Sequence, residues 1–298
     1  MKLATIVAGD STALAAHVDG ELIDLTRAMT ALSHTYVPRS VTDVISADSV
    51  AREALDEVFQ NAGLKAPRLS VDACTLLPPH LPRGNVFCVG VNYDDHLSEA
   101  QTSGMAVVAH EAPTYFSKDP RAFCGAYDDI VVDSSLTQML DWEAELAVII
   151  GRPGRNIAAD AALEHVFGYT VVNDVSARDV QASRGQWFLG KNLTAASPIG
   201  PYVVTADEVT DPQQLTLTCT VDGEVKQHAS TQTMVHSVAA LITDLSRFLE
   251  LQAGDVISTG TPAGVGAAAK PPQFLLPGSR LVTEISRIGR QENVIRAS

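Results

Sequence analysis

Long apolar runs are absent from this sequence. No window of its 298 residues approaches the roughly 18 uninterrupted apolar side chains of a membrane-spanning helix, so none is expected. Cysteine is scarce: Cys74, Cys88, Cys124 and Cys219 are scattered without a Cys-x-x-Cys pair. That spacing excludes a zinc–thiolate site and a disulfide framework, and leaves reduced, mostly buried thiols in a cytoplasmic protein as the default. Positive charge is also short, with 21 Lys and Arg against 35 Asp and Glu and a net charge of −14. Nucleic acid and anionic membrane surfaces are therefore excluded as partners. An acidic substrate must enter against the same field, so basic residues close to a site should matter. The N-terminus carries one lysine and a short apolar stretch, which reads as a first strand rather than a secretory signal. Internal repeats and low-complexity tracts are missing as well.

What is present divides the chain in two. Residues 1–77 read as a small N-terminal α/β domain, and residues 78–298 as a second, larger domain. The first part holds a hairpin signal at Asp19-Gly20 and a helical pattern over about residues 47–62. Val50, Leu55, Val58 and Phe59 supply the apolar positions of that helix, and Gly63 its terminator. Pro78-Pro79-His80-Leu81-Pro82 then breaks any regular element. Beyond it the chain is strand-rich, with a buried strand at 85–91 and an alternating strand at 215–221 that turns at Asp222-Gly223. One long helix is expected over about residues 233–251, its stripe formed by Val235, Val238, Ile242, Leu245 and Leu249, with Gly254 after it. The class is α+β.

The most informative feature is Asp141-Trp-Glu-Ala-Glu-Leu-Ala-Val-Ile-Ile. In a strand, residues two apart share a face, so Glu143 and Glu145 project side by side from one end of a buried strand. Two such anions repel in a low-dielectric setting, and a cation between them is the natural way to keep both ionised. A second strand-like run, 167–174, ends in Asp174. Three hard oxygen donors from two strand ends suit Mg²⁺ or Mn²⁺.

Other side chains add chemistry around these acids. If a helical turn follows Asp174, Arg178 and Gln181 share its face, as a bidentate receptor for a substrate carboxylate and a neutral donor beside it. The alternative for Arg178 is a salt bridge to a neighbouring acid. Lys191, on a loop after Trp187-Phe188, is either a solvated lysine or a cation aimed at a developing oxyanion. His96 and Glu99, three apart on a short helix, make either a structural pair or an oriented base. The run from Ser258 to Gly266 lacks the Gly-Lys-Ser/Thr of a phosphate loop and reads as a tight turn that brings Thr261 and backbone amides near a ligand. Trp142 is expected to pack against the opposite sheet. His110, His165, His228 and His236 have no partner spacing and read as surface or satisfied residues.

Taken together, these segments resemble the fumarylacetoacetate hydrolase family. The matching pieces are Val-Gly-Val-Asn-Tyr-x-x-His-x-x-Glu (89–99), Tyr-Phe-Ser-Lys (115–118) and Asp-Trp-Glu-x-Glu-Leu-Ala-Val-Ile-Ile-Gly (141–151). Gly-Tyr-Thr-Val-Val-Asn-Asp-Val-Ser-Ala-Arg-Asp-x-Gln (168–181), Gly-Gln-Trp-x-x-Gly-Lys (185–191) and Gly-Asp-Val-Ile-Ser-Thr-Gly-Thr-Pro-Ala-Gly (254–264) follow in order. The resemblance runs from about residue 85 to the C-terminus. It implies a mixed β-sheet roll, a β-sandwich or pseudo-barrel, usually a homodimer, behind a small N-terminal α/β domain. It implies Glu143, Glu145 and Asp174 as ligands of Mg²⁺, or of Mn²⁺ or Ca²⁺. It further implies His96 and Glu99 as a catalytic dyad on a lid, and Arg178, Gln181, Lys191 and Thr261 as substrate contacts. Asp128, Asp129 and Asp133 make the segment before the metal strand unusually acidic, and residues 100–112 match no motif of the family.

The function expected from this resemblance is hydrolysis of a carbon–carbon bond in a 2,4-dioxo acid, such as fumarylpyruvate, maleylpyruvate or a dioxo sugar acid. His96 would activate water, Lys191 and Gln181 would stabilise the oxyanion, and pyruvate or a related 2-oxo acid would leave. Decarboxylation of oxaloacetate, or isomerisation of an unsaturated 2-oxo acid, is a second reading that needs only enolate stabilisation and a proton donor. A non-catalytic metal-stabilised scaffold is a third.

Overall fold

A computed structural model describes residues 1–62, 68–103 and 112–298. Gly63, His110 and the 104–111 stretch of the expected lid end lie outside the described residues. Among those described, no helix is long and apolar enough to cross a membrane.

Two central strands organise the molecule. Ala144–Ile150 and Val166–Asn173 pair antiparallel, with Ala144 opposite Asn173 and Glu145 opposite Val172. Every residue of both is buried, which explains their continuous apolar sequence: both faces are covered. Leu146, Val148 and Ile150 pack with Val238, Leu241 and Ile242 of the helix Val238–Phe248. Ala147 and Ile149, on the opposite face, pack with Leu25, Met29, Val44, Leu55 and Val58 from the N-terminal helices. Glu143 and Glu145 have the parity of this second face, at the strand's open end.

Around this pair runs one large sheet. Its strands follow the order Arg68–Ser70, Glu21–Asp24, Ser11–Val18, Lys2–Ala8, Val203–Thr205, Val166–Asn173, Ala144–Ile150, Val256–Ser258, Val86–Gly90 and Thr114–Lys118. A second, five-stranded sheet holds Glu224–Ser230, Thr216–Val221, Arg280–Ile285, Gly289–Ala297 and Ile130–Val132. Most pairings are antiparallel; Val256–Ser258 with Val86–Gly90, Ser197–Ile199 with Phe123–Gly125, and Gly289–Ala297 with Ile130–Val132 are parallel. The chain is an α+β roll of mixed sheets. Trp142 lies buried with Cys219, Val221 and Leu281 of the second sheet, as its place in the sequence suggested. The large sheet crosses residue 77 through the pairing of Lys2–Ala8 with Val203–Thr205, and a domain division there is a proposal that limited proteolysis would test.

Two helices differ from expectation. The first spans Ser49–Ala62, but Val50 is 72% exposed while Leu55 and Val58 are buried. Five residues separate Val50 from Leu55, which turns it off the stripe. The later helix spans Val238–Phe248, not 233–251, because the Ser237 side chain caps it by accepting from the Ala240 amide. Val235, expected on its apolar face, precedes the cap and is 44% exposed.

Candidate active site

Three carboxylates meet where the two central strands end. Asn173 accepts from the Glu143 amide through its side-chain oxygen at 2.9 Å, and the Asp174 amide donates to the Glu143 carbonyl at 2.8 Å. These bonds lock the strand ends together. One oxygen from each of Glu143, Glu145 and Asp174 then lies within 4.8 Å of the others, and all three residues are buried.

The protein supplies its own counter-charge to most of this cluster. Lys191 Nζ donates to Glu143 Oε2 at 2.7 Å and to Asp174 Oδ2 at 2.8 Å. Lys118 Nζ lies 2.6 Å from Asp174 Oδ1, off the direction of a hydrogen bond, and also donates to the carbonyls of Val175 and Lys191. Arg178 spans two acids, with Nε donating to Asp141 Oδ2 at 2.8 Å and Nη2 lying 2.6 Å from Glu143 Oε1. Asp141 is further held by the amides of Trp142, Gly266 and Ala267. Four buried carboxylates thus face three cations, and Glu145 is the one without a cation among the described residues. It accepts instead from Ser258 Oγ at 2.6 Å and the Gly260 amide at 3.0 Å.

The electrostatics follow from this asymmetry. Burial alone would raise Glu143, but Lys191 and Arg178 outweigh it and hold its carboxyl well below the usual range. Burial raises Glu145, and the Asp174 and Glu143 anions raise it further, to about 8. Lys191 is held well above its ordinary value: burial opposes its charge, but Asp174 and Glu143 prevail. The donor set fits a hard divalent cation: it offers only anionic oxygens, and one of them lacks a counter-charge.

A second group sits beside the acids. The strand Val86–Gly90 leads into the helix Asp94–Ser103 through Val91, held at φ 50°, a region costly for a β-branched residue. Asn92 pins that turn by donating to the carbonyls of Thr259 and His236. One turn on, His96 Nδ1 lies 3.2 Å from Glu99 Oε2. Both Glu99 oxygens accept from the Gly264 amide, at 3.0 and 3.1 Å.

The segment 258–267 therefore holds three of the acids around the site. Its amides go to the protein's own carboxylates, Glu145, Glu99 and Asp141, rather than toward a ligand as the sequence suggested. Glycine is required at its two bends. Gly260 has φ +92° and a Cβ there would lie 2.8 Å from the Asn92 side chain; Gly264 has φ +100° and a Cβ would lie 2.0 Å from the Lys226 carbonyl. Thr261 Oγ1 donates to the Ala144 carbonyl and accepts from Gln227, so its hydroxyl is largely committed.

All the predicted site residues except Glu99 and Asp174 line one cavity of about 530 Å³. Those two reach it through their partners, His96 and Lys191. Three placements differ from expectation. Residues 176–177 form a short strand paired with 140–141, so the helix starts at Arg178 and Asp174 is not on it. Arg178 and Gln181 still meet, with Nη1 donating to the Gln181 side-chain oxygen at 3.1 Å. Arg178 also makes the salt bridges that were its alternative reading. Lys191 ends the short helix Phe188–Lys191 and is buried among the acids, not on a loop. Lys118, Asp141 and Ser258 also serve the site, although the motifs that contain them assign them no role; the signal for Lys118 is a lysine closing the strand Thr114–Lys118, since a buried lysine needs an anion.

Two of the four histidines read as surface or satisfied residues are so placed: His165 is buried and bonded to the Arg152 carbonyl, and His228 is exposed. All four cysteines are free, three of them buried.

Comparison with known proteins gives three findings. The model of the fumarylacetoacetate (FAA) hydrolase C-terminal family matches residues 85–296. A Bos taurus protein, oxaloacetate tautomerase FAHD2A, mitochondrial, is 43% identical over 243 residues, covering 81% of this chain and 73% of its own. Among solved structures, fumarylacetoacetate hydrolase from psychrophilic Exiguobacterium antarcticum is 38% identical with a TM-score of 0.83, covering 100% of both chains. Maleylpyruvate hydrolase from Sphingobium sp. SYK-6, solved in complex with a manganese(II) ion and pyruvate, is 26% identical with a TM-score of 0.79, again covering 100% of both chains.

Proposed function

The chain belongs to the fumarylacetoacetate hydrolase family, and from that premise we propose that it moves a proton at the carbon beside the 2-oxo group of a small dicarboxylic acid, interconverting the enol and keto forms of an oxaloacetate-like substrate. One observation carries the reading: an oriented imidazole, the Arg178 and Lys191 cations and two of the three clustered acids, Glu143 and Glu145, face the same cavity, which is the chemistry such a transfer needs. The 43% identity to an oxaloacetate tautomerase favours it over bond cleavage.

Glu143, Glu145 and Asp174 would hold Mg²⁺ or Mn²⁺. When bound, the ion supplies a Lewis acid for the substrate's carboxylate and 2-oxo oxygens. Glu99 accepts the Nδ1 proton of His96, which leaves Nε2 with the lone pair. That nitrogen takes the proton from C3 of the keto acid; the C3–H electron pair becomes the C2–C3 double bond and the 2-oxo oxygen gains the charge. Proton return to that oxygen gives the enol, and the reverse sequence gives the ketone. Lys191 stabilises the oxygen's charge, while Arg178, Gln181 and Thr261 shape the wall against which the acid lies.

Hydrolysis of an acylpyruvate is the second reading, favoured by the full-length likeness to maleylpyruvate hydrolase. Stopped-flow ultraviolet absorbance separates the two. With Mg²⁺, the enol absorbance of freshly dissolved oxaloacetate should decay faster than without enzyme, and a coupled lactate dehydrogenase assay should detect no pyruvate. Unaltered enol decay, together with stoichiometric pyruvate from acetylpyruvate or maleylpyruvate, would instead establish the hydrolase. A homodimer is carried as part of the proposal, on family membership, and light scattering reads it directly.

A further inference from the structure

We propose that Arg184 is the receptor for the distal carboxylate of the substrate, and so the residue by which the site prefers a diacid to a monoacid. The inference deepens the proposed reaction and rests on it for the placement of the substrate's 2-oxo end.

The segment from Arg178 to Lys191 forms one wall of the cavity, with Arg178, Gln181, Arg184, Trp187 and Lys191 all lining it. The cations along it differ in kind. Arg178 is committed through Nε to Asp141, through Nη2 to Glu143 and through Nη1 to Gln181. Lys191 is committed to Glu143 and Asp174. Lys118, behind them, is committed to Asp174. Arg184 is exposed, and among the described residues it takes part in no ion pair or hydrogen bond. The acid on its own wall, Asp179, is occupied by the Thr137 hydroxyl and by the amides of Gln138 and Val180. Among the described residues the cavity therefore presents one uncommitted guanidinium, a planar fork matched to a carboxylate. Trp187 and Phe116 line the same cavity, edge to face at 5.4 Å.

Charge counting points the same way. The inner cluster holds one more carboxylate than cations, and the divalent ion its donors fit would turn that deficit into an excess of one. A monoacid is balanced by that excess. A diacid leaves one negative charge over, and Arg184 balances it. In a chain of net charge −14, an uncommitted cation in the cavity wall also offsets part of the negative field that an arriving dianion meets.

Non-reacting analogues test this apart from catalysis. Calorimetry with Mg²⁺ present should show the wild type holding malate roughly tenfold or more tighter than lactate, the scale of a partly solvated charge-assisted pair. Arg184→Gln should collapse that difference, and Arg184→Lys should restore part of it. With oxaloacetate, Arg184→Gln should raise KM by about the same factor while kcat changes far less. A malate preference that survives in Arg184→Gln, or is missing in the wild type, overturns the assignment. A preference that depends on Arg184 in an enzyme that leaves enol-oxaloacetate untouched would retain the receptor and remove the proposed reaction.

Discussion

Glu145→Gln is expected to stabilise the metal-free protein above neutral pH and to remove its response to divalent ions. Glu145 is buried to 1% exposure, accepts from Ser258 and Gly260, and has no cation partner among the described residues. Burial and the two neighbouring anions push its carboxyl up to about 8 from an ordinary 4.5. Because the folded value lies above the unfolded one, the folded chain holds the proton more tightly. The associated stability is complete below about 4.5 and is lost as pH rises toward about 8. At roughly 1.4 kcal/mol per unit, the loss is on the order of a few kcal/mol, or several degrees of Tm for a chain of this size. Glutamine keeps the shape and one acceptor oxygen but has no proton to lose. In EDTA, the wild-type Tm should therefore fall between pH 5 and 8 while that of Glu145→Gln stays level. Adding Mn²⁺ at pH 8 should raise the wild type through linkage and leave the variant nearly unmoved. Scanning calorimetry across that pH range reads both effects. A variant less stable than wild type at pH 8 in EDTA, and equally raised by Mn²⁺, would refute the argument.

Three further substitutions probe the surrounding parts. His96→Gln should lower turnover by roughly 10²-fold or more while Mn²⁺ titration is unchanged; normal turnover would remove His96 as the proton carrier. Gly264→Ala forces a Cβ to within 2.0 Å of the Lys226 carbonyl and displaces the amide that holds Glu99, so kcat should fall in parallel with Glu99→Gln. Full activity would show that the amide does not position the dyad. Lys118→Met leaves Asp174 Oδ1 without its nearest cation in the core and should cost about 3–5 kcal/mol in urea unfolding at pH 7. A change under 1 kcal/mol would mean that Lys191 alone satisfies Asp174.

Local pattern carried the strand-borne part of this site. The two-residue spacing of Glu143 and Glu145 ahead of an apolar, β-branched run was enough to place both at the end of a core strand, and Asp174 followed from the next strand. The need for a cation was legible too, but not which one. Lys118 and Lys191 lie 56 and 17 residues from Asp174 along the chain, and only tertiary packing brings them onto its two oxygens. Arg178 reaches the acids through salt bridges to Asp141 and Glu143 and by another local route, because the short strand 176–177 replaces the helical turn assumed there. The helix at 233–251 was drawn too long because Val235 and Leu249 have the right period; the Ser237 cap, a stronger signal than period, sets its start. The amides of 258–267 bind the protein's own carboxylates, and their acceptors belong to residues up to 165 positions away, beyond the reach of local pattern.

The account rests on the carboxylates of Glu143, Glu145 and Asp174 acting as one cation site. Crystals soaked in Mn²⁺ and measured near the manganese absorption edge test it most directly. One anomalous peak within coordination distance of all three residues is the expected result, absent from Glu143→Ala crystals treated alike. Well-ordered wild-type crystals with no peak there, and with Lys191 still bridging Glu143 and Asp174, would contradict it.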